Sequence, residues 1–249
     1  MEMTERKKLF VLSDIHGHCS LAVQALEEAG FDPENPGHIM VFCGDLFDRG
    51  HENKAVYEFI GRLKRKILIR GNHDRRLLEV LKEGRADMYD LHNGMERTLE
   101  EFFGIGSVSE YGELRFQTDG ETATALIRLI EGMSDYLETE NYVFVHGWLP
   151  TVSGETPPRL MEDWRNADDK AWRSAAFSEW LSMYKTASMP EGKTVVCGHR
   201  PTRMAYRVDN ARSPADSSIY YGEGLIAIDA GTVRSGRVNV LVLEEDWKT

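Results

Sequence analysis

Ile39-Met40-Val41-Phe42-Cys43-Gly44-Asp45-Leu46-Phe47-Asp48-Arg49-Gly50 runs from an unbroken apolar segment straight into a turn made of glycine and charged residues. A short apolar run closed by Gly and Asp reads as a buried strand. Lys54–Leu63, which follows Asn53, reads as a helix. The pattern recurs along the chain. Leu9–Ser13, Ile67–Arg70, Tyr142–Val145, Thr194–Cys197, Leu225–Ile228 and Val238–Leu243 are strand-like, while Leu21–Ala29 after Ser20 and Arg75–Lys82 after Asp74 are helix-like. Strands alternating with helices imply an α/β architecture.

A chain of 249 residues fits a single α/β domain, and 41% hydrophobic with 29% charged residues describes an ordinary globular composition. The segment from Gly84 to Glu140 has helical patterns at Met95–Phe103 and Thr122–Glu131 but no chemical motif, and is expected to cover one face. Residues 151–190 are rich in Trp and charge, contain Thr156-Pro157-Pro158, and carry a helical pattern over Lys170–Tyr184. They read as an inserted cap near the site. Ala211–Ser218 reads as a surface loop.

The apolar runs fall far short of the roughly 20 residues that span a bilayer, so no membrane association is expected. Met1–Lys8 leads directly into a strand without a signal-peptide core, which makes the cytoplasm the default location. Three cysteines with no Cys-x-x-Cys pair argue against a disulfide framework; Cys43 and Cys197 read as small buried hydrophobes. A formal charge of −11 disfavours a nucleic-acid partner. It says little about a small phosphorylated substrate.

Five segments place metal-ligand residue types at or just beyond strand ends. They are Asp14-Ile15-His16, Gly44-Asp45 through Asp48-Arg49-Gly50, Gly71-Asn72-His73-Asp74, His146-Gly147 and Gly198-His199. Singly, each has an ordinary reading: a helix cap, a turn, or a histidine satisfied by its surroundings. Jointly they suggest one site, because α/β sheets gather function beyond the carboxyl ends of their strands. The glycines at 44, 50, 71, 147 and 198 fit close backbone approach at those turns.

In order and content the five segments resemble the calcineurin-like metallophosphoesterase superfamily. Asp48-Arg49-Gly50 and Gly198-His199-Arg200-Pro201-Thr202 look most like its phosphoprotein-phosphatase branch, which includes bacterial and bacteriophage Ser/Thr phosphatases and diadenosine tetraphosphatases. Pro201 stands where nuclease-like branches carry a further histidine. The resemblance implies a four-layer α/β/β/α fold, a mixed β-sandwich flanked by helices. It also implies two transition-metal ions, with Mn preferred and Fe, Zn, Co or Ni as alternatives. It assigns Asp14 and His16 to one metal, Asn72, His146 and His199 to the other, and Asp45 to the bridge.

The same resemblance makes His73 the general acid with Asp74 orienting it, and attack by a metal-bridging hydroxide the reaction step. Arg49 is the expected phosphate clamp, since a guanidinium matches two phosphoryl oxygens. A second clamp is implied between the His146 and His199 segments, where Arg165 and Arg173 both qualify, and Arg200 is an additional candidate. Asp48 is expected to hold its own loop or an imidazole, with His18 and Asp229 as supports. The expected activity is hydrolysis of a phosphate monoester on a protein or small compound. A dinucleoside-polyphosphate hydrolase and a non-catalytic metal-binding protein are the alternatives. Oligomeric state is not legible.

Overall fold

The structure is a computed structural model and describes residues 4–104, 107–108, 112–118, 120–186, 189–209 and 216–248. Its strands are β1 (Thr4–Leu12), β2 (His38–Cys43), β3 (Lys66–Ile69), β4 (Arg85–Ala86), β5 (Ser107–Val108), β6 (Leu114–Arg115), β7 (Leu137–Glu138), β8 (Tyr142–Phe144), β9 (Thr194–Cys197), β10 (Tyr220–Gly222), β11 (Leu225–Ala227) and β12 (Leu241–Lys248). One sheet has the order β12-β1-β2-β3 and a second the order β10-β11-β9-β8-β7, while β4-β6-β5 form a small separate sheet. In the first, β1, β2 and β3 run parallel and β12 is antiparallel to β1. In the second, β8, β9 and β11 run parallel between two antiparallel edges.

The helices are α1 (Cys19–Glu28), α2 (Asn53–Arg62), α3 (Asn72–Glu83), α4 (Met88–His92), α5 (Met95–Phe103), α6 (Glu121–Glu131), α7 (Asp169–Ala176), α8 (Trp180–Thr186), α9 (Arg203–Asp209) and α10 (Thr232–Ser235). The period-2 alternation of the strands sorts the layers. Leu9, Val11, Val41 and Cys43 of the first sheet pack against Phe144, Val196 and Ile226 of the second. Shifted by one residue, Phe10, Leu12, Met40 and Phe42 meet Leu26, Val56, Ile60, Leu77 and Leu126 of the first helical layer. Val143 and Val195 of the second sheet face the opposite way, into a cluster with Trp148, Trp164, Trp172 and Trp180. The result is the four-layer α/β/β/α arrangement.

This layering extends into residues 151–190. Their tryptophans Trp164, Trp172 and Trp180 are buried on the outer face of the second sheet, so α7 and α8 form the fourth layer there. The single helix expected over Lys170–Tyr184 is two, α7 and α8. The break has a cause: the Ala175 carbonyl accepts the Trp148 N–H at 3.0 Å as well as the Ser178 N–H at 3.0 Å, so the chain turns there to meet the His146 segment. The loop expected at Ala211–Ser218 lies outside the described residues up to position 215. Among the described residues no helix is long and apolar enough to cross a membrane.

Candidate active site

All five segments emerge at the carboxyl ends of parallel strands. The β1 and β2 turns are laced together by Asp14 N–H to Gly44 O at 3.0 Å, His16 N–H to Asp45 O at 3.1 Å and Gly17 N–H to Leu46 O at 2.9 Å. The turns are unusual in backbone terms. Asp14, His16, Asp45, Asp48, Arg49 and His199 all adopt positive φ, between 44° and 74°. Non-glycine residues rarely do so, and such strain persists where the surrounding structure over-determines it. Two glycines are required by contact instead: a Cβ on Gly71 would collide with the Asp45 carboxylate, and one on Gly198 with the Asp14 carboxylate.

Asp45, buried at the centre, presents its two oxygens to different histidines. Oδ2 lies 3.6 Å from His16 Nε2 and Oδ1 3.4 Å from His146 Nε2. His16 Nδ1 is 2.9 Å from the Phe47 carbonyl and His146 Nδ1 is 2.8 Å from the Cys43 carbonyl. Each Nδ1–H therefore donates to a main-chain oxygen, which turns the Nε2 lone pair towards Asp45, the orientation of a metal-ligating imidazole. His146 Nε2 also lies 2.9 Å from Asn72 Oδ1. Two acceptors that close share either a proton or a cation.

Electrostatics sharpen the donor set. Burial alone would raise Asp45, but His146, His73, His16 and His199 together outweigh it and hold the carboxyl well below the usual range. Burial drives His16 well below its ordinary value, with Arg49 and His73 adding to the effect. Burial, then the neighbouring His146, pull His199 down to about 3. The site thus combines an ionised central carboxylate with neutral His16 and His199, while for His146 and His73 burial is outweighed by the Asp45 charge, which raises both. Ligand atoms of His16, Asp45 and His73 lie within 4.8 Å of one another, as do those of Asp45, His146 and His199. Asp45 belongs to both groups. Mixed oxygen and nitrogen donors without thiolate suit a transition metal, and an arginine already stands in for a cation: Arg49 donates to His16 Nε2 at 2.6 Å and to His73 Nε2 at 2.8 Å.

Residues 7–230 match the calcineurin-like phosphoesterase family. The chain belongs to that family. Its members are dinuclear metal-dependent hydrolases of phosphate esters. The chain is 26% identical over 245 residues to the asymmetrical bis(5'-nucleosyl)-tetraphosphatase of Bacillus velezensis, covering 86% of both chains. It is 28% identical over 94 residues to serine/threonine-protein phosphatase 1 of Salmonella typhimurium, covering 38% of this chain and 42% of that one. Among solved structures it shares its fold with the cold-active protein-tyrosine phosphatase of a psychrophilic Shewanella species, with TM-score 0.56 at 16% identity over 95% of this chain and 75% of the other.

Within the calcineurin-like site, the expected partner of His73 is corrected. His73 Nδ1 contacts Asp48 Oδ2 at 2.7 Å. Asp74, fully buried, instead accepts backbone N–H groups from Gly71 at 2.8 Å, Asp45 at 2.9 Å and Leu46 at 3.2 Å. Asp74 ties the Asp45 turn to the Asn72 turn, and Asp48 positions the histidine. Asp14 is buried beside the centre but outside both converged donor groups; its Oδ2 accepts the His199 N–H at 2.9 Å. Burial, relieved in part by His146 and reinforced by Asp45, pushes Asp14 up to about 6. His18 Nδ1 lies 2.7 Å from the His16 carbonyl and steadies that turn. Asp229 accepts the Gly231 N–H at 2.6 Å.

A cavity of about 690 Å³ opens on the centre, reached by His16, Asp45, Asn72, His73 and His199. Neither expected second clamp lines it. Arg165 pairs with Glu138 at 2.6 Å and lies over the Trp164 ring at 4.4 Å, and Arg173 pairs with Glu79. Among the described residues, the arginines on the cavity are Arg49, Arg200, Arg203 and Arg234. Sequence reading also passed over Thr98 of α5, whose hydroxyl donates to Asp48 Oδ1 at 2.7 Å, and Gly94, whose carbonyl accepts the Arg49 N–H at 2.8 Å. Both lie in the stretch without a motif. Only the packing of α5 and its N-cap Gly94 against the Asp48 loop gives them a role.

Proposed function

We propose that this protein is a dinuclear-metal phosphoesterase that transfers a phosphoryl group from a phosphate monoester to water. The supporting observation is the Asp45 carboxylate, each of whose oxygens faces the Nε2 of a different, carbonyl-anchored histidine. His16 and Asp14 on one side and Asn72, His146 and His199 on the other would hold the ions, with Asp45 between them. Mn is the preferred metal. Bound there, the ions would supply an activated water and positive potential for the phosphoryl oxygens.

The chain's own residues account for the rest. Arg49 occupies the His16 Nε2 lone pair that a metal would need, so with that position taken its guanidinium would be free to clamp two phosphoryl oxygens. His73 carries the leaving group: as water oxygen bonds to phosphorus and the ester P–O bond breaks, Nε2–H protonates the departing oxygen. Burial lowers the basicity of His73, but Asp45 and the hydrogen-bonded Asp48 outweigh it, so Nε2 would take up a proton once the Arg49 guanidinium leaves it. Metal-dependent hydrolysis of p-nitrophenyl phosphate tests the reading. Turnover that requires added Mn and collapses in Asp45→Asn supports it; metal-independent turnover contradicts it.

A second reading, hydrolysis of a dinucleoside polyphosphate, is favoured by the cavity's remaining lining. Tyr89 and Phe177 line it with 69% and 48% of their surfaces exposed, flat apolar faces of the kind on which a base stacks. The Bacillus relative bears the name of such an enzyme.

A further inference from the structure

The cavity wall formed by α9, α10 and the turn before α10 carries positive charge with no internal partner. Arg203 and Arg234 both line the cavity, and neither makes an ion pair or a side-chain hydrogen bond among the described residues. Arg203 Nε is buried and unpartnered. Thr232, 2% exposed, lines the same cavity, and its hydroxyl also lacks a partner. A buried hydroxyl and a buried guanidinium N–H left unsatisfied are each costly in a folded protein. Here they sit on one wall of an open, polar cavity. Arg200, by contrast, is paired with Glu179, and the wall's acid, Asp229, has one carboxylate oxygen engaged by the Gly231 N–H.

We propose that Arg203, Arg234 and the Thr232 hydroxyl form a second anion subsite that holds a phosphoryl group other than the one being hydrolysed, so that the same site also accepts a polyphosphate chain. The proposal rests on the phosphoesterase reading for the first phosphoryl position and deepens it. Two guanidinium groups and a hydroxyl match the several oxygens of a phosphate, whereas a neutral alcohol or peptide chain would leave both charges uncompensated. A monoester with one phosphate engages the metal centre and Arg49 and leaves this wall empty. A nucleoside polyphosphate or dinucleoside polyphosphate reaches both. The five motifs do not mark these residues, since Arg203 and Arg234 lie beyond the last motif histidine.

The test compares inorganic tripolyphosphate with orthophosphate, at a fixed excess of free Mn, as inhibitors of p-nitrophenyl phosphate hydrolysis by the wild type and by Arg203→Gln/Arg234→Gln. In the double variant the tripolyphosphate inhibition constant is expected to rise by about 10–100-fold, as loss of charge-assisted contacts predicts. The orthophosphate constant and kcat/KM for p-nitrophenyl phosphate are expected to stay within about twofold, since neither ligand reaches this wall. The Arg203→Lys/Arg234→Lys variant should recover part of the tripolyphosphate affinity. Equal weakening of both inhibitors, or none of either, overturns the subsite. Calorimetric titration of both proteins with tripolyphosphate separates the two readings. If the wild type hydrolyses no ester yet binds tripolyphosphate and the variant does not, the catalytic reading fails and the subsite stands.

Discussion

Asp74→Asn separates a structural role from a chemical one at the centre of this site. The Asp74 carboxylate is fully buried and accepts three backbone N–H groups, from Gly71, Asp45 and Leu46. The amide of Asn keeps one acceptor oxygen. That oxygen can serve Gly71 and Asp45, which share Oδ2, while the new NH₂ faces the Leu46 N–H donor to donor. Stranding a buried donor and weakening two charge-assisted bonds costs about 2–4 kcal/mol. Burial, then the Asp45 charge, push Asp74 up to about 6, so removing its charge relieves repulsion and draws the loss towards the lower figure. For a chain of this size that is a fall in Tm of about 4–8 °C. The Asp45 and Asn72 turns would also lose their tie, which weakens metal binding by about 10–100-fold. Differential scanning calorimetry and Mn titration measure both, and kcat at saturating Mn should recover to within about tenfold of wild type. The reasoning is refuted if Tm and metal affinity are unchanged while kcat at saturating Mn falls by two orders of magnitude, because Asp74 would then act through His73.

Asp48→Asn is expected to spare metal binding and lower kcat by about 10–100-fold, because His73 loses the carboxylate at 2.7 Å that fixes its ring; metal counting and steady-state kinetics check it. His73→Ala should retain both metals and lose about 10²–10⁴-fold in turnover, the usual worth of a positioned proton donor. Arg165→Ala and Arg173→Ala should each leave kcat/KM within about twofold, being tied to Glu138 and Glu79 away from the cavity. A tenfold loss in either would return it to the list of phosphate clamps. Gly198→Ala, whose new methyl collides with the Asp14 carboxylate, is expected to weaken binding of one metal by at least about tenfold and to destabilise the fold by about 1–3 kcal/mol. Equilibrium dialysis and thermal unfolding would show whether it does.

What was legible in the sequence follows from where its signal is concentrated. The strands that carry the site are β-branched and apolar, so Leu9–Leu12, Ile39–Cys43 and Thr194–Cys197 announce themselves, and their ends locate the five turns. The layer assignment follows from the same alternation, since Phe10 and Val11 face opposite cores. Partnerships across the site were not legible. Nothing in Asn72-His73-Asp74 says that His73 turns away from its neighbour towards Asp48, because the positive φ of Asp48 and its Thr98 contact decide that. For the tryptophans of 151–190 the sequence shows their spacing and not the sheet face that buries them. Arg203 and Arg234 lack a motif altogether; only the cavity they share marks them.

The central claim is that Asp45 bridges two cations. Electron paramagnetic resonance of the protein loaded with Mn(II) to increasing stoichiometry tests it most directly. The account predicts saturation at two equivalents with an exchange-coupled dinuclear signal, lost in Asp45→Asn. Isolated mononuclear Mn(II) at every loading, or a coupled signal that survives the substitution, would contradict it.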